Sequence, residues 1–283
     1  MGKENGRLGR GQIANMNICY QMYSLDYFFT STKRLGLSSI ELWGAPPHLD
    51  QRFISNGELY RLKRRVRGEG LRIVCYTPFQ NGRVINLADR DKSFREFSIG
   101  WLRRSLEIAS CLETDKMLVT AGRGLLDEPA AEAFERAADS LGRLAKTAGR
   151  YGITLLLEPL REDESNLICS LGEAAHMLRR VSDPALKAMA DTSPMYAQGE
   201  NFTGYKRTLR DDFAHVHLVD GDPDGHLALG DGNLPLKKYL EELIELGYNG
   251  TMTLELIADA YFRDPEAPLR RSLRFLSPYL EED

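Results

Sequence analysis

The feature that most constrains the fold of this chain is a regular alternation of short strand-like segments and longer helix-like segments. Short apolar runs recur about every 33 residues along the 283-residue sequence, at 17–20, 39–43, 72–76, 116–120, 154–158, 187–191, 215–219 and 251–256. One strand, one helix and two short loops need about that many residues. Alternating strands and helices require a parallel sheet. Eight units without a G-x-G-x-x-G motif after the first run predict one closed (β/α)8 TIM barrel rather than an open doubly wound sheet.

Capping signals indicate where the helices begin and end. Ser55 with Glu58, and Ser170 with Glu173, fit the capping box in which each residue binds the other's backbone N–H. A glycine also stands shortly before four of the runs, where the end of a helix favours a left-handed residue: Gly36, Gly70, Gly152 and Gly247.

The ends of the chain and its charge limit the possible partners. Residues 1–16 are polar and Gly-rich and lack the apolar segment of a signal peptide, so we expect a flexible leader followed by one domain at 17–283. No apolar run approaches 18 residues, and the formal net charge is −4. Neither a membrane nor a nucleic acid is therefore expected as a partner. Four scattered cysteines (Cys19, Cys75, Cys111 and Cys169) argue against a disulfide framework and favour a reducing, cytoplasmic compartment.

Four consecutive runs each carry, at or near their carboxyl end, a side chain that can bind a metal. These are Glu158, Asp191, His217 and Glu255. Catalytic groups of such barrels lie at the carboxyl ends of the strands, and the two-residue period of a strand places Glu158, His217 and Glu255 on the inner face. Three carboxylates and one imidazole form a net-negative set that suits Mn²⁺, Mg²⁺ or Co²⁺. A salt-bridged glutamate, a helix-capping aspartate and a core histidine are the structural alternatives for each residue taken alone.

Other residues are weaker candidates on the same face. Glu41 shares strand parity with Trp43, and His215, one layer below His217, is its expected partner in a structural polar pair. For substrate contact, with core packing or solvation as the alternative, the candidates are Trp43, His48, Tyr76, Arg123, Asn166 and His226. Asn81–Gly82 predicts a turn in a lid loop. The acidic loop containing Asp220, Asp222, Asp224 and Asp231 favours a substrate that carries an ammonium group over a sugar phosphate.

Several segments resemble one family in particular. They are IELWGAPPH (40–48), YTPFQNG (76–82), LLLEPLREDESN (155–166), ADTSPMY (190–196), HVHLVDGD (215–222), LGDGNLPL (229–236) and LEL (254–256). Over nearly the whole chain from about residue 17, the sequence is similar to the xylose isomerase-like TIM barrels of sugar epimerases and isomerases. Within that family it is similar to the fructoselysine 3-epimerases.

The resemblance implies a metal-dependent isomerase that interconverts fructoselysine and psicoselysine at C3. Glu158, Asp191, His217 and Glu255 would bind one divalent ion, usually Mn²⁺, with Mg²⁺, Co²⁺ or Zn²⁺ as alternatives. Glu158 and Glu255 would act as acid and base on opposite faces of the sugar, through a cis-enediolate. The resemblance also implies a homodimer or homotetramer acting on a small ketose or ketose-amine.

Two departures from the free-ketose 3-epimerases weaken a tagatose- or psicose-type assignment. Those enzymes carry a histidine three residues after the strand-six aspartate, where this chain has Pro194. They also carry an arginine shortly after the strand-seven histidine, where residues 218–223 of this chain (LVDGDP) contain none. Another ketose 3-epimerase, a sugar isomerase and an inosose-type dehydratase remain alternatives on the same scaffold. An endonuclease IV-like nuclease would need a His-rich three-zinc site, and the chain has five histidines in all. An inactive sugar-binding barrel would not need the complete set of ligands.

Overall fold

The computed structural model describes residues 6–80, 84–223 and 225–281, and the strands in these residues form one closed barrel. The strands are Ile13–Met16 (β1), Ser39–Gly44 (β2), Arg72–Pro78 (β3), Lys116–Val119 (β4), Thr154–Leu157 (β5), Leu186–Asp191 (β6), Phe213–His217 (β7) and Met252–Leu254 (β8). Each strand pairs in parallel with its neighbours in the chain, and β8 pairs with β1 to close the barrel. The prediction of a (β/α)8 fold is confirmed.

Helices connect the strands and surround the barrel. They are Leu25–Arg34 (α1), Asn56–Gly68 (α2), Lys92–Cys111 (α3), Ala130–Tyr151 (α4), Leu171–Val181 (α5), Thr192–Ala197 (α6), Phe202–Leu209 (α7), Leu236–Glu245 (α8) and Glu266–Leu276 (α9). Both predicted capping boxes form, at the starts of α2 and α5. The four glycines predicted at helix–strand joints all have positive φ, between 61° and 72°. In the described part of the chain, no helix has the length and apolarity that a membrane crossing requires.

The first strand lies earlier than the sequence suggested. β1 is Ile13–Met16, whereas 17–20 forms a buried 3-10 turn. The error has a physical cause, because Asn15 makes β1 look polar although its side chain is buried against α1. There its amide donates to Thr32 Oγ1 at 2.8 Å. Asn17 then uses its side chain to bind the backbone N–H and carbonyl of Trp43 in β2, which ties the turn to the barrel.

The prediction of a flexible leader over 1–16 is wrong for the part that the structure describes. Leu8 is buried, and its backbone bonds to Tyr279 and Glu281 join the start of the fold to its end. Gln12 donates to the carbonyls of Tyr248 and Gly250 just before β8. Residues 1–5 lie outside the described residues.

The inner face of the barrel divides into an apolar side and a polar side. Cys75, Leu118, Leu156 and Met189 form a small buried cluster on β3 to β6. Across from them, β2, β7 and β8 contribute Glu41, His215 and Thr253, all fully buried. Outward residues of the same strands, such as Leu155 and Val216, belong to the larger core beneath the helices. The alternation predicted from sequence therefore holds, and it points polar groups toward the barrel axis.

Candidate active site

Four polar side chains converge at the carboxyl ends of β5 to β8. Glu158 directly follows β5, and Glu255 directly follows β8. Asp191 and His217 are the last residues of β6 and β7 and lie opposite each other in the strand pairing. One ligand atom from each of the four residues lies within 4.8 Å of the other three. The structure thus brings together the four residues that the sequence singled out, and all four are buried.

The imidazole of His217 lies at the centre of this cluster. Its Nδ1 atom is 3.0 Å from Glu255 Oε2, 3.3 Å from Glu158 Oε1 and 3.9 Å from Asp191 Oδ2. Asp191 has two functions, because its Oδ1 accepts the Ser193 N–H at 2.7 Å and caps α6. Its Oδ2 faces the cluster. The helix-cap alternative and the cluster assignment of Asp191 therefore apply to different oxygens of one carboxylate.

The two glutamates of the cluster differ electrostatically. Burial raises the pKa of Glu158 to about 7, and the negative charges of Glu255 and Asp191 add to this effect against the opposing imidazole of His217. Burial also acts to raise the pKa of Glu255, but the neighbouring imidazoles of His217 and His226 outweigh it and lower that pKa to about 2. Without an ion, Glu158 therefore holds a proton more strongly than Glu255 does.

A second histidine reaches the cluster from the loop after β7. His226 Nε2 lies 3.1 Å from Asp191 Oδ2 and 3.3 Å from Glu255 Oε2. The loop is shaped by the buried Asp220, whose carboxylate accepts the backbone N–H groups of Gly230, Gly232 and Leu234 at 2.9–3.0 Å. Asp220 therefore holds the loop in the conformation that brings His226 to the cluster.

The cluster fits a divalent cation. Among the described residues, His217 Nδ1 makes no hydrogen bond of acceptable geometry although it is buried and surrounded by carboxylate oxygens. Three buried carboxylates repel one another strongly unless a positive charge lies between them. A ligand set of three carboxylates and one imidazole suits Mn²⁺, Mg²⁺ or Zn²⁺.

Metal binding at this cluster should weaken as the pH falls. Burial alone lowers the pKa of His217, but the carboxylates of Glu41 and Glu255 hold it well above its ordinary value. A cation needs a bare Nδ1, so below that raised pKa each ion must displace a proton. We expect the affinity for Mn²⁺ to fall by up to about tenfold per pH unit for each proton displaced. Calorimetry in two buffers of different ionisation enthalpy measures the protons released, and an affinity independent of pH between about 6 and about 8 would contradict the assignment.

A hydrogen-bonded layer lies directly beneath the cluster. Glu41 Oε1 is 3.1 Å from His217 Nε2, and Glu41 Oε2 is 2.9 Å from His215 Nε2. Thr77 and Thr253 donate their hydroxyls to the two oxygens of Glu41. The expected pairing of Glu41 with His215 is present, and it extends upward to His217, which the sequence reasoning did not foresee.

A cavity of about 420 Å³ opens above the cluster. Glu158, Asp191 and Glu255 line it. Of the side chains predicted to contact substrate, Trp43, Arg123 and His226 also line it. Cavities of this size hold small organic ligands.

The prediction for Tyr76 is wrong. Cys75 and Thr77 occupy the inner face of β3, so the two-residue period turns Tyr76 outward. Its ring is fully buried against Gly44 of β2, where any Cβ would collide with the phenol. Tyr76 therefore packs the core beneath the helices and does not reach the cavity.

His48 and Asn166 are likewise used by the fold rather than by the cavity. The ring nitrogens of His48 bind Asn17 Nδ2 and the carbonyl of Tyr23, both at 2.8 Å. Asn166 Oδ1 accepts the backbone N–H of Gly124 at 2.8 Å. Neither side chain lines the cavity above the cluster, which corrects the prediction that they contact substrate there.

The cavity also contains residues that the sequence reasoning missed. Asp163 and Glu164 line it from the loop after β5, and both are paired with Arg161. Their position in the loop that follows β5 and Glu158 was the available signal. Two of the four acidic residues in the loop after β7 are used by the fold, because Asp220 accepts backbone N–H groups and Asp231 pairs with Arg271. Asp224 and the predicted turn at Asn81–Gly82 lie outside the described residues.

Comparison with known proteins agrees with this architecture. Residues 29–279 match the family model described as xylose isomerase-like TIM barrel. Fructoselysine 3-epimerase of Escherichia coli O157:H7 is 30% identical over 266 residues, which cover 93% of this chain and 96% of that protein.

Two solved structures share the fold over nearly the full length. D-psicose 3-epimerase with D-tagatose, from Clostridium cellulolyticum H10, superposes with a TM-score of 0.78 at 19% identity, covering 96% of this chain and 100% of the other. The IOLI protein with a binding zinc atom superposes with a TM-score of 0.77 at 16% identity, covering 96% and 100%. At these identities the two structures establish the fold alone.

Proposed function

The chain belongs to the xylose isomerase-like TIM barrel family and is an enzyme of the isomerase class, and we propose that it epimerises a ketose-amine of the fructoselysine type at C3. The observation that carries the proposal is the convergence of Glu158, Asp191, His217 and Glu255 beneath one cavity. Two of these residues are glutamates on strands that are not neighbours, so they approach a bound sugar from different directions.

The reaction requires a proton to leave C3 on one face and another to arrive on the opposite face. C3 is adjacent to the C2 carbonyl, so its deprotonation gives an enediolate of the sugar. A divalent ion held by the four residues would supply Lewis-acid stabilisation of the negative charge that develops on oxygen. One glutamate of the pair takes the proton into its carboxylate, and the other returns a proton from the other side. The two roles exchange when the reaction runs in reverse.

The surroundings of Glu158 support its part in this scheme. Without an ion, burial raises the pKa of Glu158 to about 7. A divalent ion beside the carboxylate would lower this pKa and favour the ionised form, which is the form that accepts a proton from C3. His226 Nε2, which lies 3.1 Å from Asp191 Oδ2 and 3.3 Å from Glu255 Oε2, would help to orient Glu255.

The rim of the cavity supports a substrate larger than a free hexulose. Trp43 offers an aromatic face for the sugar carbons. Arg123 is exposed at the rim, where Asn86 holds its backbone by two hydrogen bonds. Fructoselysine carries an α-carboxylate at its amino-acid end, and a guanidinium is the side chain best suited to bind one.

Replacing Arg123 by glutamine should therefore change substrate preference rather than chemistry. The useful comparison is between fructoselysine and the ketose-amine of cadaverine, which lacks the α-carboxylate. We expect the variant to lose about fivefold in kcat/KM for fructoselysine, because an exposed ion pair contributes at most about 1 kcal/mol. Steady-state kinetics on both compounds measures this, with the cadaverine derivative as the control that should not change. An equal loss on both compounds would mean that Arg123 does not bind the carboxylate.

A substrate panel tests the proposed function. The purified protein is incubated with Mn²⁺ and, separately, with fructoselysine, D-psicose, D-tagatose and L-ribulose, and the products are identified by ¹³C NMR. We expect psicoselysine from fructoselysine, with a kcat/KM well above those for the free ketoses. If only the free ketoses are converted, the proposed substrate is wrong and the proposed reaction stands. An aldose or a dehydrated product would replace the reaction itself.

Three further expectations stay predictions. Mn²⁺ is the expected ion because the carboxylate-rich ligand set suits it. A homodimer or homotetramer is expected from the family resemblance. A reducing, cytoplasmic compartment is expected because the four cysteines are free, and three of them are buried.

A further inference from the structure

We propose that Glu41 is a positioning residue that fixes the tautomer of His217, so that the Nδ1 lone pair of His217 faces the cation. This inference rests on the metal centre of the proposed function and assigns a role to a residue outside the four ligands. Glu41 lies in β2, on the far side of His217 from the cluster, and is completely buried.

The contacts of Glu41 leave its carboxylate one orientation. Thr77 donates to Oε1, and Thr253 donates to Oε2 at 2.6 Å. The ring nitrogens of the two histidines approach the same two oxygens, with His217 Nε2 on Oε1 and His215 Nε2 on Oε2. Each carboxylate oxygen is therefore bound by one hydroxyl and one imidazole, and the group cannot rotate without breaking all four contacts.

This arrangement decides which nitrogen of His217 carries the proton. An ionised carboxylate accepts hydrogen bonds and donates none, so both Nε2 atoms must be protonated. A neutral His217 then has its lone pair on Nδ1, the atom that lies among the carboxylate oxygens of Glu158, Asp191 and Glu255. Carboxylates that bind the remote N–H of a ligating histidine fix its tautomer and ring orientation and raise its basicity.

A different role for this layer is a second metal site. Glu41, His215 and His217 do place ligand atoms close enough together for an ion. Against it, both oxygens of Glu41 already accept a hydroxyl hydrogen. His215 Nδ1 is also occupied, by Thr251 Oγ1 at 2.8 Å. Among the described side chains of Glu41, His215 and His217, the atom without a hydrogen bond is His217 Nδ1, which faces the upper cluster.

The decisive variant is Glu41→Gln. Glutamine keeps the size of the side chain, but its amide can donate as well as accept, so the Nε2–H tautomer of His217 is no longer enforced. We expect the affinity for Mn²⁺ to fall about 10- to 100-fold, the usual cost of losing an outer partner of a ligating histidine. Thr251→Val is the matched control, because it disturbs the same network at His215 and leaves the contact between Glu41 and His217 intact. Its affinity for Mn²⁺ should stay within about threefold of wild type, since no partner of the ligating histidine is lost.

Two readouts independent of catalysis test the inference. Titration calorimetry gives the Mn²⁺ affinity of each protein. ¹⁵N NMR of histidine-labelled protein with Zn²⁺ gives the tautomer, the His217 signal being assigned by its loss in His217→Gln. In wild type we expect the proton of His217 on Nε2 and Zn²⁺ on Nδ1. In Glu41→Gln we expect this tautomer to be partly or completely lost.

Three results would overturn the inference: wild-type affinity in Glu41→Gln, an equal loss in Thr251→Val, or an Nδ1–H tautomer in the Zn²⁺-bound wild type. If Glu41→Gln does not fold, the tautomer in wild type decides alone. A wild-type protein with the expected tautomer and Mn²⁺ affinity that converts no ketose would support the inference and overturn the proposed function. A wild-type protein that epimerises ketoses but binds neither Mn²⁺ nor Zn²⁺ would support the proposed reaction and overturn the inference about Glu41.

Discussion

Replacing either Glu158 or Glu255 by glutamine should reduce epimerisation by about 100- to 10,000-fold while the protein keeps its fold. Each residue supplies one proton transfer, and general acid–base groups contribute about 100- to 10,000-fold each. Glutamine is nearly the same size but cannot accept a proton from carbon. Epimer formation measured by NMR, with circular dichroism as the check on folding, gives the result. Glu162→Gln is a matched control, because Glu162 lies in the same loop as Glu164 but contacts Gln198 instead of lining the cavity.

The two variants should also differ in which epimer exchanges its C3 hydrogen for deuterium in D₂O. Each retains one glutamate, so it can still remove the C3 proton from one epimer and return deuterium to the same face. We therefore expect slow exchange without inversion, in one epimer for Glu158→Gln and in the other for Glu255→Gln. Exchange into both epimers by either variant, or an epimerisation rate within about tenfold of wild type, would contradict the assignment of two opposed bases.

Removal of the divalent ion should abolish activity and lower thermal stability. At an ion concentration of about 100 times Kd, binding stabilises the folded state by about 2.7 kcal/mol. For a chain of this size that amount should raise Tm by about 5 °C. We expect chelation by EDTA to abolish activity and to lower Tm by this amount, and we expect added Mn²⁺ to restore both. Differential scanning calorimetry and an activity assay on the same samples measure the effect.

Asp191→Asn separates metal binding from folding in that experiment. Asparagine caps helices as well as aspartate does, so the cap that Asp191 Oδ1 provides for α6 should survive. The charged oxygen that faces the cluster is lost, so the rise in Tm on adding Mn²⁺ should largely disappear.

Full activity in a chelated wild-type protein that contains no divalent ion by elemental analysis would contradict the metal centre.

Much of the barrel could be predicted from the sequence because its determinants are local. Ser55 with Glu58 starts α2 through side-chain contacts three residues apart, and Gly152 ends α4 through its own backbone freedom. The period of the strands also fixes direction, so Glu158, His217 and Glu255 could be placed on the inner face. Convergence of these residues then follows from the closure of the barrel alone.

The errors arose where a long-range contact decides the outcome. Asn15 can lie in a strand because its buried amide N–H donates to Thr32 in α1, and no local pattern reveals that partner. His48 lies in a loop on the catalytic face, yet contacts with Asn17 and Tyr23 occupy both of its ring nitrogens. Tyr76 is different, because the parity of β3 alone would have placed it outward.

The measurement that tests the central claim most directly is the fate of the C3 hydrogen during turnover by the wild-type protein. With Mn²⁺ and fructoselysine in D₂O, proton transfer through two glutamates predicts deuterium at C3 of the product from the first turnovers, deuterium at C3 of the substrate once product reverts to it, and deuterium at no other carbon. Product that forms without deuterium at C3, or with deuterium at C1 instead, would contradict it.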